Sequence, residues 1–101
     1  MFNESNYSDG HCFSQAYTDL KIGKTVGMPV PGTCSWSGSE VMPSGIRWGV
    51  VPISVKNKSG EWMENNPTVP QFQVKNMPDL ISKGRDQQLE KAVEELLKDV
   101  R

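Results

Sequence analysis

The 101-residue chain has only two cysteines, Cys12 and Cys34, and a single histidine, His11. Two thiols make neither a disulfide framework nor, alone, a zinc site; one bridge stays open, undecided by the sequence. No apolar run approaches the length of a membrane span. Residues 1–10 lack a basic start and an apolar core, so no signal peptide is expected. Neither charge dominates: 11 basic residues face 12 acidic ones. The basic residues are scattered rather than striped, which argues against a nucleic-acid partner. There is no repeat and no low-complexity tract, and the length suits one domain or part of one. Apolar residues make up 36% of the chain, few for a domain that fills its own core, so further chain is expected to complete it. Three N-glycosylation patterns, at Asn3, Asn6 and Asn57, are of a kind that arises often by chance.

What is present reads as an α/β chain. Residues 1–7 suggest a short strand. Phe13, Ala16, Tyr17 and Leu20 recur at helical spacing, which predicts a helix over 9–22 ended by Gly23. Thr25 to Met28 can form a strand before Pro29 and Pro31. The Gly/Ser/Pro-rich run from Pro31 to Gly45 predicts a long loop. Trp48, Val50, Val51, Ile53 and Val55 make Arg47 to Val55 the best strand. A turn over Lys56 to Gly60 then lets Glu61 to Glu64 pair back. Gln71 to Val74 is a further strand, and Pro78 to Lys83 one helical turn. Leu89, Ala92, Val93, Leu96, Leu97 and Val100 form one apolar stripe on a final helix capped by Asp86. That stripe is expected to pack into a core. Two helices nevertheless share a thin sheet, so some apolar surface is expected to stay unburied, or to be covered by a second copy.

Ser8 stands where the first extended segment gives way to the first helix. A serine there rides on a sharp turn beside helix N–H groups that have no internal partners. Those groups and the positive helix end can hold an oxyanion, which is the geometry of an acyl-transfer nucleophile. The plainer reading makes Ser8 or Asp9 an N-cap. Glu64, at the end of a strand, could orient or charge-stabilise a base, or be an ordinary solvated acid. His11 follows Ser8 by three residues, but a base on the nucleophile's own helix points along it. It is expected to be a surface histidine. Neither cysteine has a base and an orienting group around it.

The stretch Asn3-Glu4-x-x-x-Ser8-Asp9-Gly10 followed by Phe13 resembles the nucleophile segment of tricorn-like and tail-specific (carboxyl-terminal-processing) serine peptidases. Lys21-Ile22-Gly23-Lys24-Thr25-Val26-Gly27 is similar to the strand after their nucleophile helix. Glu64-Asn65-Asn66-x-x-Val69-Pro70 resembles their glutamate element, and Gly84-Arg85-Asp86-Gln87-Gln88-Leu89-x-x-Ala92 the opening of their last helix. The four elements, in order, cover residues 3 to 100. Pro67 and Thr68 replace the usual glycine region, and Gln71 an acid. Lys21 and Lys24 do not sit in the lysine-base motif of the tail-specific branch, so the tricorn-like branch fits better.

The resemblance implies a partial crotonase-like (ClpP-type) sheet with a nucleophile helix and a C-terminal amphipathic helix. Residues 1–101 would be one domain, the C-terminal part of a peptidase catalytic domain. Ser8 would be the nucleophile, the Asp9 backbone N–H half of the oxyanion hole, and Glu64 the relay glutamate. The base and the second oxyanion donor would come from upstream sequence, which would also be a partner of this chain beside its peptide or protein substrate. No metal or cofactor is implied, and the parent is expected outside the cytoplasm, in the periplasm for instance. Two other readings compete. One is a non-catalytic interaction module using the Trp36–Pro43 loop with Trp48 and Trp62. The other is a self-contained hydrolase of Ser8, His11 and Glu64.

Overall fold

In the computed structural model, which describes residues 1–100, the elements run α1 (Asp9–Asp19), β1 (Val26–Gly27), β2 (Ser35–Val41), β3 (Arg47–Ser54), β4 (Phe72–Gln73), α2 (Pro78–Ile81) and α3 (Gln87–Leu97). This is a small mixed α/β chain. Its centre is Gly27. On one side Phe2 bridges Gly27 in parallel; on the other β1 pairs in parallel with β4, Val26 opposite Phe72. Parallel neighbours need a crossover, and α1 supplies it between Phe2 and β1. Gly27 has a φ of 140°, and a Cβ there would lie 1.8 Å from the Phe2 carbonyl oxygen. Only glycine allows that approach. Phe2, Val26, Val30, Cys34 and Met63 form the small apolar core.

The second sheet is a hairpin. β2 and β3 pair antiparallel from Ser35–Ser54 to Val41–Arg47, with an irregularity between Trp36 and Gly38. The turn is closed by Met42 N–H donating to Ile46 O at 2.9 Å and Gly45 N–H to Met42 O at 2.8 Å. The expected loop over Pro31 to Gly45 therefore contains a seven-residue strand, β2. Ser and Gly are poor β-formers, and the pairing with the Val/Ile/Trp-rich β3 overrides them. Both faces of the hairpin are largely exposed, so it stands out as an arm. The molecule measures 63 × 35 × 16 Å, with a radius of gyration of 17.4 Å. A compact chain of this length has about 13 Å.

Other elements are shorter than the sequence suggests. The strand over 1–7 reduces to the bridge at Phe2, and the pairing of Glu61 to Glu64 to one bridge between Lys56 and Trp62. α1 ends at Asp19, with Leu20 as its C-cap and Lys21 in the left-handed region (φ 52°) before Gly23 is reached. α2 starts at Pro78 as expected but ends at Ile81, before Lys83, and the Asp86 cap is where it was expected; the Asp86 carboxylate accepts the Leu89 N–H at 2.9 Å.

The helix faces are the main correction. On α1 the buried residues are His11 and Ser14, while Phe13 and Leu20 are both 67% exposed. On α3 the buried residues are Gln88 and Glu95, and Leu96 is 61% exposed. The apolar stripe of α3 is not core. Its Leu89, Val93 and Leu96, with Tyr17 of α1 and Met1, line an open groove of about 350 Å³. Polar faces sit inward because each finds partners there. The Gln88 amide donates to Val74 O, and Lys24 donates to Glu95 O. Among the described residues no second layer lies over the apolar faces, as the thinness of the sheet leads one to expect. Among the described residues no helix is long and apolar enough to cross a membrane.

Glu95 carries a pH prediction. Its carboxylate, nearly buried, accepts from Lys91 at 2.8 Å and Lys98 at 2.6 Å, with Lys24 at 3.9 Å. The bond from Lys91, then that from Lys98, holds its pKa down at about 2. A depressed carboxyl stabilises the fold above its unfolded pKa, and that stability is lost as pH falls towards the folded value. The thermal midpoint should therefore drop as the pH is lowered from about 5 towards 2. Glu95→Gln should flatten part of that slope in a pH series of melting curves; an unchanged slope would remove Glu95 from the account.

Candidate active site at the Ser8 turn

Ser8 begins α1 with φ 53° and ψ −112°, outside the conformations an L-residue adopts freely. Such a residue costs about 1–3 kcal/mol and persists where its surroundings impose it. Its main-chain oxygen accepts from the N–H groups of His11 (2.9 Å) and Cys12 (3.1 Å). Its side chain makes no capping bond. Ser8 thus occupies the N-cap position without doing what an N-cap side chain does. The Gly10 N–H is taken up by Tyr7 O. The Asp9 N–H has no acceptor among the described residues. A strained serine and a free N–H at the positive end of an 11-residue helix are therefore adjacent.

Ser8 and Asp9 open onto a cavity of about 310 Å³. One wall is the disulfide between Cys12 and Cys34, which the structure forms with Cα atoms 5.0 Å apart. The rest of the lining is Ser35, Trp36 and Ser37 at the start of β2, with Ile53 near the end of β3 and Val55 just after it.

Glu64 does not line this cavity, but it is tied to a residue that does. The Ser35 hydroxyl donates to Glu64 Oε2 at 2.5 Å. The turn after Glu64 is locked against Gly32: Asn65 N–H donates to Gly32 O at 2.9 Å. A Cβ on Gly32 would come 2.2 Å from the Asn66 nitrogen, so the close approach depends on glycine. Ser35 is the site residue that sequence reasoning missed. It lies in a Ser/Gly-rich run with no signal that sets it apart from its neighbours.

His11 is not on the surface. It is 0% exposed. Its Nδ1 accepts from the N–H groups of Thr33 (3.0 Å) and Cys34 (2.9 Å). Two donors on Nδ1 require the neutral ring with its proton on Nε2. Burial pushes the pKa of His11 down, against smaller upward pulls from the Asn66 main chain and the Glu64 charge. Among the described residues Nε2 has no hydrogen-bond partner. An imidazole already accepting at one nitrogen and protonated at the other cannot take the Ser8 proton. Ser8, His11 and Glu64 are not a self-contained relay. Lys21 follows the far end of α1 and Lys24 lies beyond it, paired with Asp99 at 2.7 Å. An 11-residue helix is about 16 Å long, so neither reaches Ser8.

No protein-family model matches the chain, and comparison with curated proteins finds no significant relative.

Proposed function

We propose that this chain carries the nucleophile of a serine endopeptidase of the tricorn-like, tail-specific kind, on a partial crotonase-like sheet. The observation that carries the reading is the strained Ser8, freed of capping duty, beside the unpaired Asp9 N–H. In this reading the Ser8 hydroxyl gives its proton to a base and attacks the scissile carbonyl; the C–N bond breaks, the amine half leaves with that proton, and water then hydrolyses the acyl-enzyme. The Asp9 N–H, backed by the α1 dipole, receives the oxyanion. Glu64, with Ser35, orients and charge-stabilises a base supplied by upstream sequence. The exposed stripes of α1 and α3 then find their cover in that upstream part, or in a second copy of the chain. The Cys12–Cys34 bridge supports an oxidising, extracytoplasmic setting. No metal or cofactor takes part in this scheme.

The test is fluorophosphonate labelling with mass spectrometry, on this chain and on the longest natural parent containing it. Labelling at Ser8 in the parent, lost in Ser8→Ala by a factor of about a thousand or more, is the expected result. The chain alone should label poorly, because a serine without its base is a weak nucleophile. Strong labelling of the chain alone would place a base within it. A folded parent that does not label favours the second reading, a non-catalytic interaction module. That alternative draws on the exposed arm, where Trp36 and Trp48 face solvent. Trp36 now belongs to β2 rather than to a loop.

A further inference from the structure

We infer that Thr33 is a positioning residue for Ser8, holding the nucleophile's turn by accepting the Ser8 N–H. This rests on the peptidase reading and adds to it a residue 25 positions away in sequence. Ser8 N–H donates to Thr33 Oγ1 at 2.9 Å. The Thr33 hydroxyl in turn donates to Pro31 O at 3.3 Å, which turns an oxygen lone pair toward Ser8. The bond acts on the residue whose φ and ψ are strained. A main-chain N–H held in one direction fixes the peptide plane before Ser8, and so the path along which its Oγ leaves the backbone.

Thr33 is itself held from the same helix turn. Its N–H and that of Cys34 converge on the buried Nδ1 of His11. Cys34 is bonded to Cys12. Residues 8, 11 and 12 of the helix start therefore grip residues 33 and 34 through four separate ties, one of them covalent. His11 and the disulfide explain why segment 33–34 stays in place. They do not touch the Ser8 N–H; among the described residues Thr33 is its acceptor. The arrangement also assigns the two N–H groups at the turn different tasks. That of Ser8 is spent on Thr33, and that of Asp9 is left for the oxyanion.

The test compares Thr33→Val, which keeps the shape and removes the acceptor, with Thr33→Ala and with Thr33→Ser, which keeps the hydroxyl. Two quantities are read. Amide hydrogen exchange at Ser8 is measured on the 101-residue chain, and the concentration dependence of fluorophosphonate labelling on the parent. In the valine and alanine variants the Ser8 amide should exchange roughly tenfold faster. Their maximal labelling rate should fall on the order of 100-fold, with the half-saturating probe concentration unchanged. Thr33→Ser should restore both. A merely structural role would show as a lowered melting temperature without this split or this rescue. Ser8 exchange and labelling that stay at wild-type values in a folded Thr33→Val or Thr33→Ala protein would overturn the inference. A wild-type parent that does not label overturns the peptidase reading instead, and the amide exchange then still decides whether Thr33 holds the turn.

Discussion

Gly27→Ala is expected to destabilise the fold by about 3 kcal/mol or more, enough to abolish a cooperative unfolding transition in so small a core. Two costs add. A Cβ on Gly27 would sit 1.8 Å from the Phe2 oxygen and 2.9 Å from the Phe2 carbonyl carbon. Both are backbone atoms, so no flexible side chain can yield. The φ of 140° is, in addition, one that alanine adopts only under strain. Relief requires Phe2 to leave β1, which breaks the Phe2 N–H bond to Val26 O and the Met28 N–H bond to Phe2 O. The segment that leads into Ser8 then loses its anchor. Urea unfolding followed by circular dichroism measures the effect. A transition midpoint within experimental error of wild type would mean that the Phe2 bridge contributes nothing to stability.

Removing the disulfide is the second large perturbation. Cys12 and Cys34 close a loop with a sequence separation of 22. Chain entropy alone assigns such a cross-link about 3 kcal/mol. The double variant Cys12→Ala/Cys34→Ala should lose roughly that amount. The wild-type chain unfolded in a strong reductant should match it, and the variant should be insensitive to reductant. The loss concerns the site as well as the fold. The bridge is a wall of the Ser8 cavity and one of the ties that hold Thr33 near Ser8. A wild-type chain whose unfolding curve is the same with and without reductant would show that the bridge carries none of this stability.

Neither effect could be estimated from the sequence. Gly27 reads there as one residue of the strand from Thr25 to Met28, and Cys12–Cys34 as an open question. What the sequence shows well is local. The β-formers of β3 place it from Arg47 to within a residue of its observed end. The Asp86 cap and the turn starting at Pro78 act through side chains and φ angles of the residues themselves, so both are legible. The start of α1 is legible from the helical spacing of Phe13, Ala16, Tyr17 and Leu20, although Ser8 makes no side-chain cap there. β2 is not, because its residues become a strand only when β3 offers the other half of the ladder. Ser35 escapes notice with it, since its hydroxyl acquires a role only where Glu64 arrives.

By itself, then, the chain determined where helices start, which stretch prefers to be extended, and that Ser8 stands at the start of the first helix; the strand expected before it is only the bridge at Phe2. Those features depend on interactions within a few residues. The tertiary structure alone decided that His11 is buried and neutral, that Ser8 is strained and bonded to Thr33, and that Glu64 reaches the cavity through Ser35. It also decided that the apolar stripes of α1 and α3 face outward. Periodicity shows that a helix has an apolar side. Whether that side is core depends on a layer to cover it, and burial, partner and protonation are properties of distant chain brought together.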